Sequence, residues 1–196
     1  LPIYMGSMDK VKLGQSGLSN FLKKYKNNKF ISSKLDGISL LIGKYNDIPK
    51  AYTRGDGVYG KDVSRFLKYI KTIGNKSLYS ILSNIDNNTF IRGELIISKD
   101  TWEKFSHLGS NARNMVMGIM NRKEITTDVK ICVFLGYQFI SNDNLSISEQ
   151  FKKITDLEID APHYKLYSDT EITEEKLPEI LEKYKNTSKY EIDGII

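Results

Sequence analysis

Cysteine is almost absent from this 196-residue sequence: Cys132, inside the apolar run KICVFLGYQF, is the only one. That excludes an internal disulfide and a cysteine-built zinc site. It leaves a buried structural thiol as the expectation for Cys132, and it fits a reducing, intracellular setting. Histidine is nearly as scarce. His107 and His163 have no ligand spacing to each other or to Cys132, so metal binding through them is not expected. No apolar stretch approaches the roughly 20 residues that span a bilayer, and the opening LPIYMGSMDK lacks the basic-then-apolar order of a secretory leader. There is no internal repeat and no low-complexity linker. The chain does not begin with methionine and closes on the apolar stretch EIDGII, as expected of a piece of a longer protein.

What is present is an ordinary globular mix, 40% hydrophobic and 27% charged, enough for one core or a core with a small lobe. Lys and Arg number 29 against 24 acids, for a net charge of +5. Lysines cluster at FLKKYKNNK (21–29) and recur through GKDVSRFLKYIKTIGNK (60–76). Such a chain suits a polyanionic partner, although solvated helix faces explain the same composition.

The hydrophobic pattern is mixed. Residues 19–28 read as a helix with Ser19 as its N-cap. FISS, ISLLIGKY, KAYT, TFIRGELII, KICVFLGYQF and YEIDGII read as strands. Asp62 is placed to cap a helix with Val63, Phe66, Leu67 and Ile70 on one face. KDTWEKF suggests a helix with an Asp100–Glu103 capping box, ARNMVMGIM a buried helix, and SISEQFKKI a helix capped by Ser146 and Glu149. Pro178 starts or kinks a helix reaching Lys185. Strands and helices without regular βαβ spacing imply an α+β fold.

Five short stretches could carry chemistry. In SSKLDGISL, Lys34 lies between two runs that enter a core. A lysine amine attacks only when neutral, and its free pKa is about 10.4; burial or a neighbouring cation lowers that value. Asp36 is close enough to orient it or to meet a substrate hydroxyl, and Gly37 permits close backbone approach to a ligand. The same four residues also suit the end of a β-hairpin. TRGDGVYG offers a glycine-rich loop and, in Arg54, a planar donor for phosphate or ribose; an ordinary turn is the alternative. In IRGEL, alternation puts Arg92 and Glu94 on one face. A carboxylate within an apolar strand must be paired, hydrogen-bonded or metal-bound, so Glu94 is either a ribose or Mg²⁺ ligand or the partner of Arg92. In SNARNMVMGIMNRK, Arg113 opens an apolar helix, where anions are favoured, or is a solvent-facing cap. EIDG repeats the Asp-Gly pair at Asp193, suited to a metal or substrate contact or to a plain turn.

Taken in order, KLDG (34–37), TRGDG (53–57), RGE (92–94), NARN (111–114) and EIDG (191–194) resemble the nucleotidyltransferase core of NAD⁺-dependent DNA ligases, and PIYMGSMD resembles the segment that opens that domain. The resemblance covers nearly the whole chain. KLDG, RGE and the late Asp-Gly are shared by the covalent nucleotidyltransferase superfamily; TRGDG and NARN narrow it to the NAD⁺-dependent branch. It implies an ATP-grasp-like core of antiparallel sheets flanked by helices, with residues 1–196 forming an adenylation domain cut at its last strand. A nicotinamide-recognition module and OB-fold or DNA-clamping modules would lie outside this chain, so the piece alone is expected to bind nucleotide but seal nicks poorly.

The implied mechanism has Lys34 attack NAD⁺ to form lysyl-AMP, with the AMP passing to the 5′-phosphate of nicked duplex DNA, Mg²⁺ assisting, and the protein working as a monomer. By position, the resemblance assigns Ser7 and Met8, Ser32, Leu35 and Gly37, Arg54, Glu94 and Tyr137 to the nucleotide. Tyr137 would stack on adenine, unless it is a plain core tyrosine. Arg113 and Lys185 fall to the phosphate or DNA side, Lys34, Asp36, Glu94 and Asp193 to catalysis, and Glu94 and Asp193 to the metal. Several positions depart from the family pattern: Ser32 replaces a glutamate, Lys61 an acid, Asn121 a second arginine, and Lys185 an arginine whose planar fork is lost. They point to a divergent member, a viral one being the expectation. An ATP-dependent DNA or RNA ligase and a non-catalytic nucleotide-binding module are the alternatives.

Overall fold

The computed structural model describes residues 1–12 and 16–196. Its strands are β1 (Lys29–Leu35), β2 (Ile38–Tyr45), β3 (Ile48–Thr53), β4 (Thr89–Ile96), β5 (Val133–Ile140), β6 (Tyr164–Tyr167) and β7 (Ile192–Ile195); its helices are α1 (Ser16–Lys24), α2 (Leu78–Ser83), α3 (Lys99–Phe105), α4 (Ala112–Asn121), α5 (Ile147–Asp156) and α6 (Lys176–Thr187). The strands form two antiparallel sheets, β3-β2-β4-β5 and β6-β1-β7. The α+β expectation with antiparallel sheets flanked by helices therefore holds.

Alternation along the four-stranded sheet decides what each face does. Leu40 and Ile42 of β2 and Ile91 and Leu95 of β4 point to one side, into a core shared with Phe66, Leu67, Leu78, Leu82, Val116 and Ile119. The opposite side carries Ser39 and Leu41 on β2 and Arg92 and Glu94 on β4, with Ser39 opposite Glu94 and Leu41 opposite Arg92. Among the described residues, no helix residue joins the buried cluster of Met5, Leu41 and Phe90 on this side. The opening segment crosses instead: Met5 is buried against Leu41 and Phe90, and its N–H donates to the Gly57 carbonyl at 2.9 Å. The smaller sheet has its own core of Ile31, Tyr167, Ile172, Tyr184 and Ile192.

Local signals explain most of the helices. In α4, Asn111 accepts a hydrogen bond from the Asn114 N–H at 2.7 Å. Ala112, Val116, Ile119 and Met120 then fall on one buried stripe. Before α5, Ser146 and Glu149 form the expected reciprocal capping box. Ser146→Ala is expected to cost about 1 kcal/mol, read as a lowered urea midpoint with unchanged slope.

Some local expectations are corrected. The first helix starts at Ser16, so Ser19 is an interior residue rather than the cap. Asp62 accepts from the Ser64 N–H at 2.8 Å, but it opens only a short 3-10 turn, Ser64–Phe66, and not an α-helix. Val63, Phe66, Leu67 and Ile70 are nonetheless all buried. Ser98, not Asp100, caps α3, accepting from the Thr101 N–H. Cys132 is a buried free thiol, pushed up to about 12 by burial.

Candidate active site

The fold removes one of the two alternatives for KLDG. β1 and β2 are consecutive in sequence but join different sheets, so Lys34–Gly37 is not a hairpin end. It is the crossing between the two sheets, and it brings Lys34 into the electrostatic neighbourhood of Glu94 on the larger one. Gly37 is required for this crossing. A Cβ there would stand 2.4 Å from the Leu95 carbonyl oxygen and 2.9 Å from Glu94 Cγ. The space spared by the missing side chain is filled by β4. Leu35 is likewise a core residue, buried with Ile96 and Leu135.

Lys34 is aligned with Gly194 of β7. That register brings the Asp193 carboxylate to the ammonium, with both oxygens in reach, at 2.6 and 2.7 Å. The Lys34 and Asp193 side chains are 32% and 37% exposed, so the pair faces solvent. Asp36 does not orient Lys34. It accepts from Arg113 Nη1 at 2.8 Å, which ties the start of α4 to the crossing.

Glu94 stands on the same side of the sheet, 8% exposed. It is not the partner of Arg92: Arg92 donates to the Tyr4 carbonyl of the opening segment, while Glu94 accepts from Ser39 Oγ at 3.0 Å. Burial raises the Glu94 pKa to about 7, and the Ser39 hydroxyl, Arg113, Lys34 and the Gly37 N–H oppose the rise. Lys34, Arg113 and Glu94 are thus electrostatic neighbours. Ser39 escapes a reading of the sequence; its one signal there is a lone hydroxyl inside the otherwise apolar ISLLI.

Tyr137 lies in a β-bulge. β5 pairs Gly136 with Gly93 and Gln138 with Arg92, leaving Tyr137 as the extra residue. The bulge turns it to the Glu94 side, where burial and the Glu94 charge push its phenol up to about 12, against the pull of Ser39, Arg92 and Arg54. Arg54 comes directly after β3, and its N–H donates to the Ser39 carbonyl at 3.0 Å. Its side chain is exposed. The TRGDG loop then turns through Gly55 (φ 56°) and Gly57 (φ 98°), closed by the Asp56 carboxylate accepting from the Val58 and Tyr59 N–H groups.

The remaining expected residues differ in placement. Ser32 is buried, with its backbone paired to Ile196 in both directions at 2.9 Å. Ser7 and Met8 are exposed beyond the anchored Met5. Lys185 is exposed in the last turn of α6; its carbonyl accepts from Lys99 Nζ at 2.9 Å, and none of the contacts joining Lys34, Asp36, Arg113 and Asp193 involves it. Among the described residues, no three His, Cys, Asp or Glu side chains form a metal cage. Glu94 and Asp193 therefore fit Mg²⁺ only as one or two carboxylates whose cation is completed by a ligand's phosphates and water. No helix among the described residues is long and apolar enough to cross a membrane.

The cluster is a lysine paired with the Asp193 carboxylate, with Asp36 held by Arg113 and with Glu94, Arg54 and Tyr137 as electrostatic neighbours. Residues 3–196 match the model of the NAD-dependent DNA ligase adenylation domain. A DNA ligase of Acanthamoeba polyphaga mimivirus is 39% identical over 199 residues, covering 100% of this chain and 30% of that protein. A DNA ligase of Mesoplasma florum is 32% identical over 187 residues, covering 87% and 27%. The chain thus spans under a third of the length of these curated relatives. Among solved structures, an archaeal ATP-dependent RNA ligase shares the fold with a TM-score of 0.57 at 13% identity, over 91% of this chain and 41% of that one.

Proposed function

The chain belongs to the family of NAD-dependent DNA ligase adenylation domains, and from that premise we propose that it is the nucleotidyltransferase unit that loads AMP from NAD⁺ onto Lys34. The observation that carries the reading is the Lys34–Asp193 pair, 2.6 Å apart at the open crossing between the sheets. Lys34 Nζ attacks the α-phosphorus, forming an N–P bond as the bond to the leaving nicotinamide mononucleotide breaks. Asp193 is the base within reach of the amine's proton. Such a transfer depends on positioning and charge neutralisation more than on strong acid–base power. Arg54 and Arg113 supply cations for the phosphates, Glu94 an acceptor for a ribose hydroxyl, and Tyr137 a face for adenine. Glu94 and Asp193 would hold Mg²⁺ on the phosphates, where it neutralises developing charge.

The AMP then activates the 5′-phosphate of nicked duplex DNA, which the 3′-hydroxyl attacks. Ser7, Met8, Ser32 and Lys185 stay in this reading as positions of the nucleotide and phosphate path, and the chain acts as a monomer. Incubation with NAD⁺ or with ATP, then intact mass, tests the donor. An AMP-sized gain from NAD⁺ is the expected result. A gain from ATP alone would move the chain to the ATP-dependent branch, and a gain from neither, repeated with the nicotinamide-recognition module attached, would make it a binding module.

A further inference from the structure

We propose that the C-terminal end of α4 carries a surface that binds the phosphate backbone of duplex DNA, built from Lys61, Arg65, Arg122 and Lys123; this rests on the DNA-ligase reading above. The basic stretch at 60–76 has no part in the Lys34 cluster, and the fold gives part of it a specific location. The Arg65 guanidinium donates to the carbonyls of Arg122 and Lys123, to the latter at 2.6 Å. Lys61 Nζ donates to Asn121 Oδ1 at 3.2 Å. Two segments some 60 residues apart are thereby held together, and all four cations are exposed.

The Arg65 contacts alone could be an ordinary helix cap, since cations are favoured at helix C-termini. Lys61 and Lys123 need another reason, because among the described residues neither makes an ion pair. Nearby acids offset the group only in part: Asp128 pairs with Arg122, one of its four cations, Asp62 pairs with Lys50 at 3.2 Å, and Glu124 is exposed beside Lys123.

The location fits a nucleic-acid backbone. α4 has ten residues and is about 15 Å long. Arg113 at its first turn belongs to the candidate active site, and the cations lie at its last. Between them Asn114, Met117 and Gly118 are exposed, with no atom within 4 Å of a Cβ built on Gly118, so the shelf is open. A DNA strand carries one charge per about 3.4 Å of axis. A strand with its terminal phosphate at the active site would lay about four phosphates along the helix before meeting the cations.

Fluorescence anisotropy with a nicked DNA duplex across a salt series tests this, using the Lys61→Ala/Lys123→Ala chain. Each lost phosphate contact lowers the salt slope by about 0.9, so a fall of about 1 to 2 is expected, with roughly 10-fold weaker binding at low salt. Charge reversal at both positions should deepen the loss. Lys152→Ala/Lys153→Ala, which removes the same charge from α5, should leave binding unchanged. An unchanged slope in the Lys61/Lys123 variant, an equal loss in the α5 control, no binding by wild type, or a larger loss on nicked RNA than on DNA would each overturn the surface. Lysyl-AMP formation by wild type, read in parallel, reports on the Lys34 reading alone, so the two fail separately.

Discussion

Lys34→Arg is expected to abolish the lysyl-AMP adduct, with a loss of at least about 10³-fold, while the chain stays folded. The argument turns on what arginine keeps and what it loses. It keeps the positive charge and can rebuild the pair with Asp193. It loses the amine, and a guanidinium does not deprotonate to become a nucleophile in a protein. The stability effect should be small because the Lys34–Asp193 pair is about a third exposed. Exposed pairs contribute about 0–1 kcal/mol. That weakness suits the proposed role, in which the pair opens when a phosphate arrives. Lys34→Ala should match Lys34→Arg in activity and leave Asp193 unpartnered at little cost. Intact mass after NAD⁺, with a thermal melt of each variant, is the measurement. An AMP adduct on Lys34→Arg would show that another residue is the acceptor.

The strands and the motifs are visible in the sequence, but what the motifs do to each other is not. The apolar runs at 38–45, 89–96 and 133–140 form strands because alternation and β-branched content are local properties. The Asn111 and Ser146 caps obey local rules too. Where two backbones satisfy one pattern, the pattern does not choose between them. Val63, Phe66, Leu67 and Ile70 are buried as an α-helix would bury them, yet the chain there makes a 3-10 turn and then a bridge between Lys71 and Ser77. β6 is invisible in the sequence because three of its four residues are exposed, leaving no alternation to detect.

The site is legible as residue types and illegible as pairs. Lys34 and Asp193 are 159 positions apart, and Asp36 and Arg113 are 77 apart. Spacing alone suggests Asp36 as the partner of Lys34 and Arg92 as that of Glu94. The fold exchanges both partners, because β7 lies beside β1 while α4 begins at the crossing. Ser39 becomes visible only once β2 is set against β4.

Glu94→Gln is expected to lower lysyl-AMP formation by about 10²-fold and to remove a pH dependence that the wild type shows in two opposite directions. Glu94 is raised from 4.5 to about 7 because it is buried. Between those values the folded chain holds a proton that the unfolded chain has released. Stability is therefore full below about 4.5 and falls as pH rises through about 7, by on the order of 3 kcal/mol. Nucleotide affinity should run the other way. A ribose hydroxyl donates best to an ionised carboxylate, so binding strengthens as pH rises from about 6 to about 8, and below about pH 7 it releases a proton. Glu94→Gln carries no titrating group at this position. Its melting temperature should lose the decline seen in wild type, and its affinity for AMP should be weak at both pH values. Calorimetry of AMP binding near pH 6.5, roughly where the carboxyl is still mostly protonated, in buffers of different ionisation enthalpy checks the proton directly. Because the AMP phosphate itself releases some proton on binding to cations in either chain, greater release by wild type than by the variant is the expected result. Equal proton uptake or release by both chains would mean that Glu94 does not accept from the ligand, whatever its effect on stability.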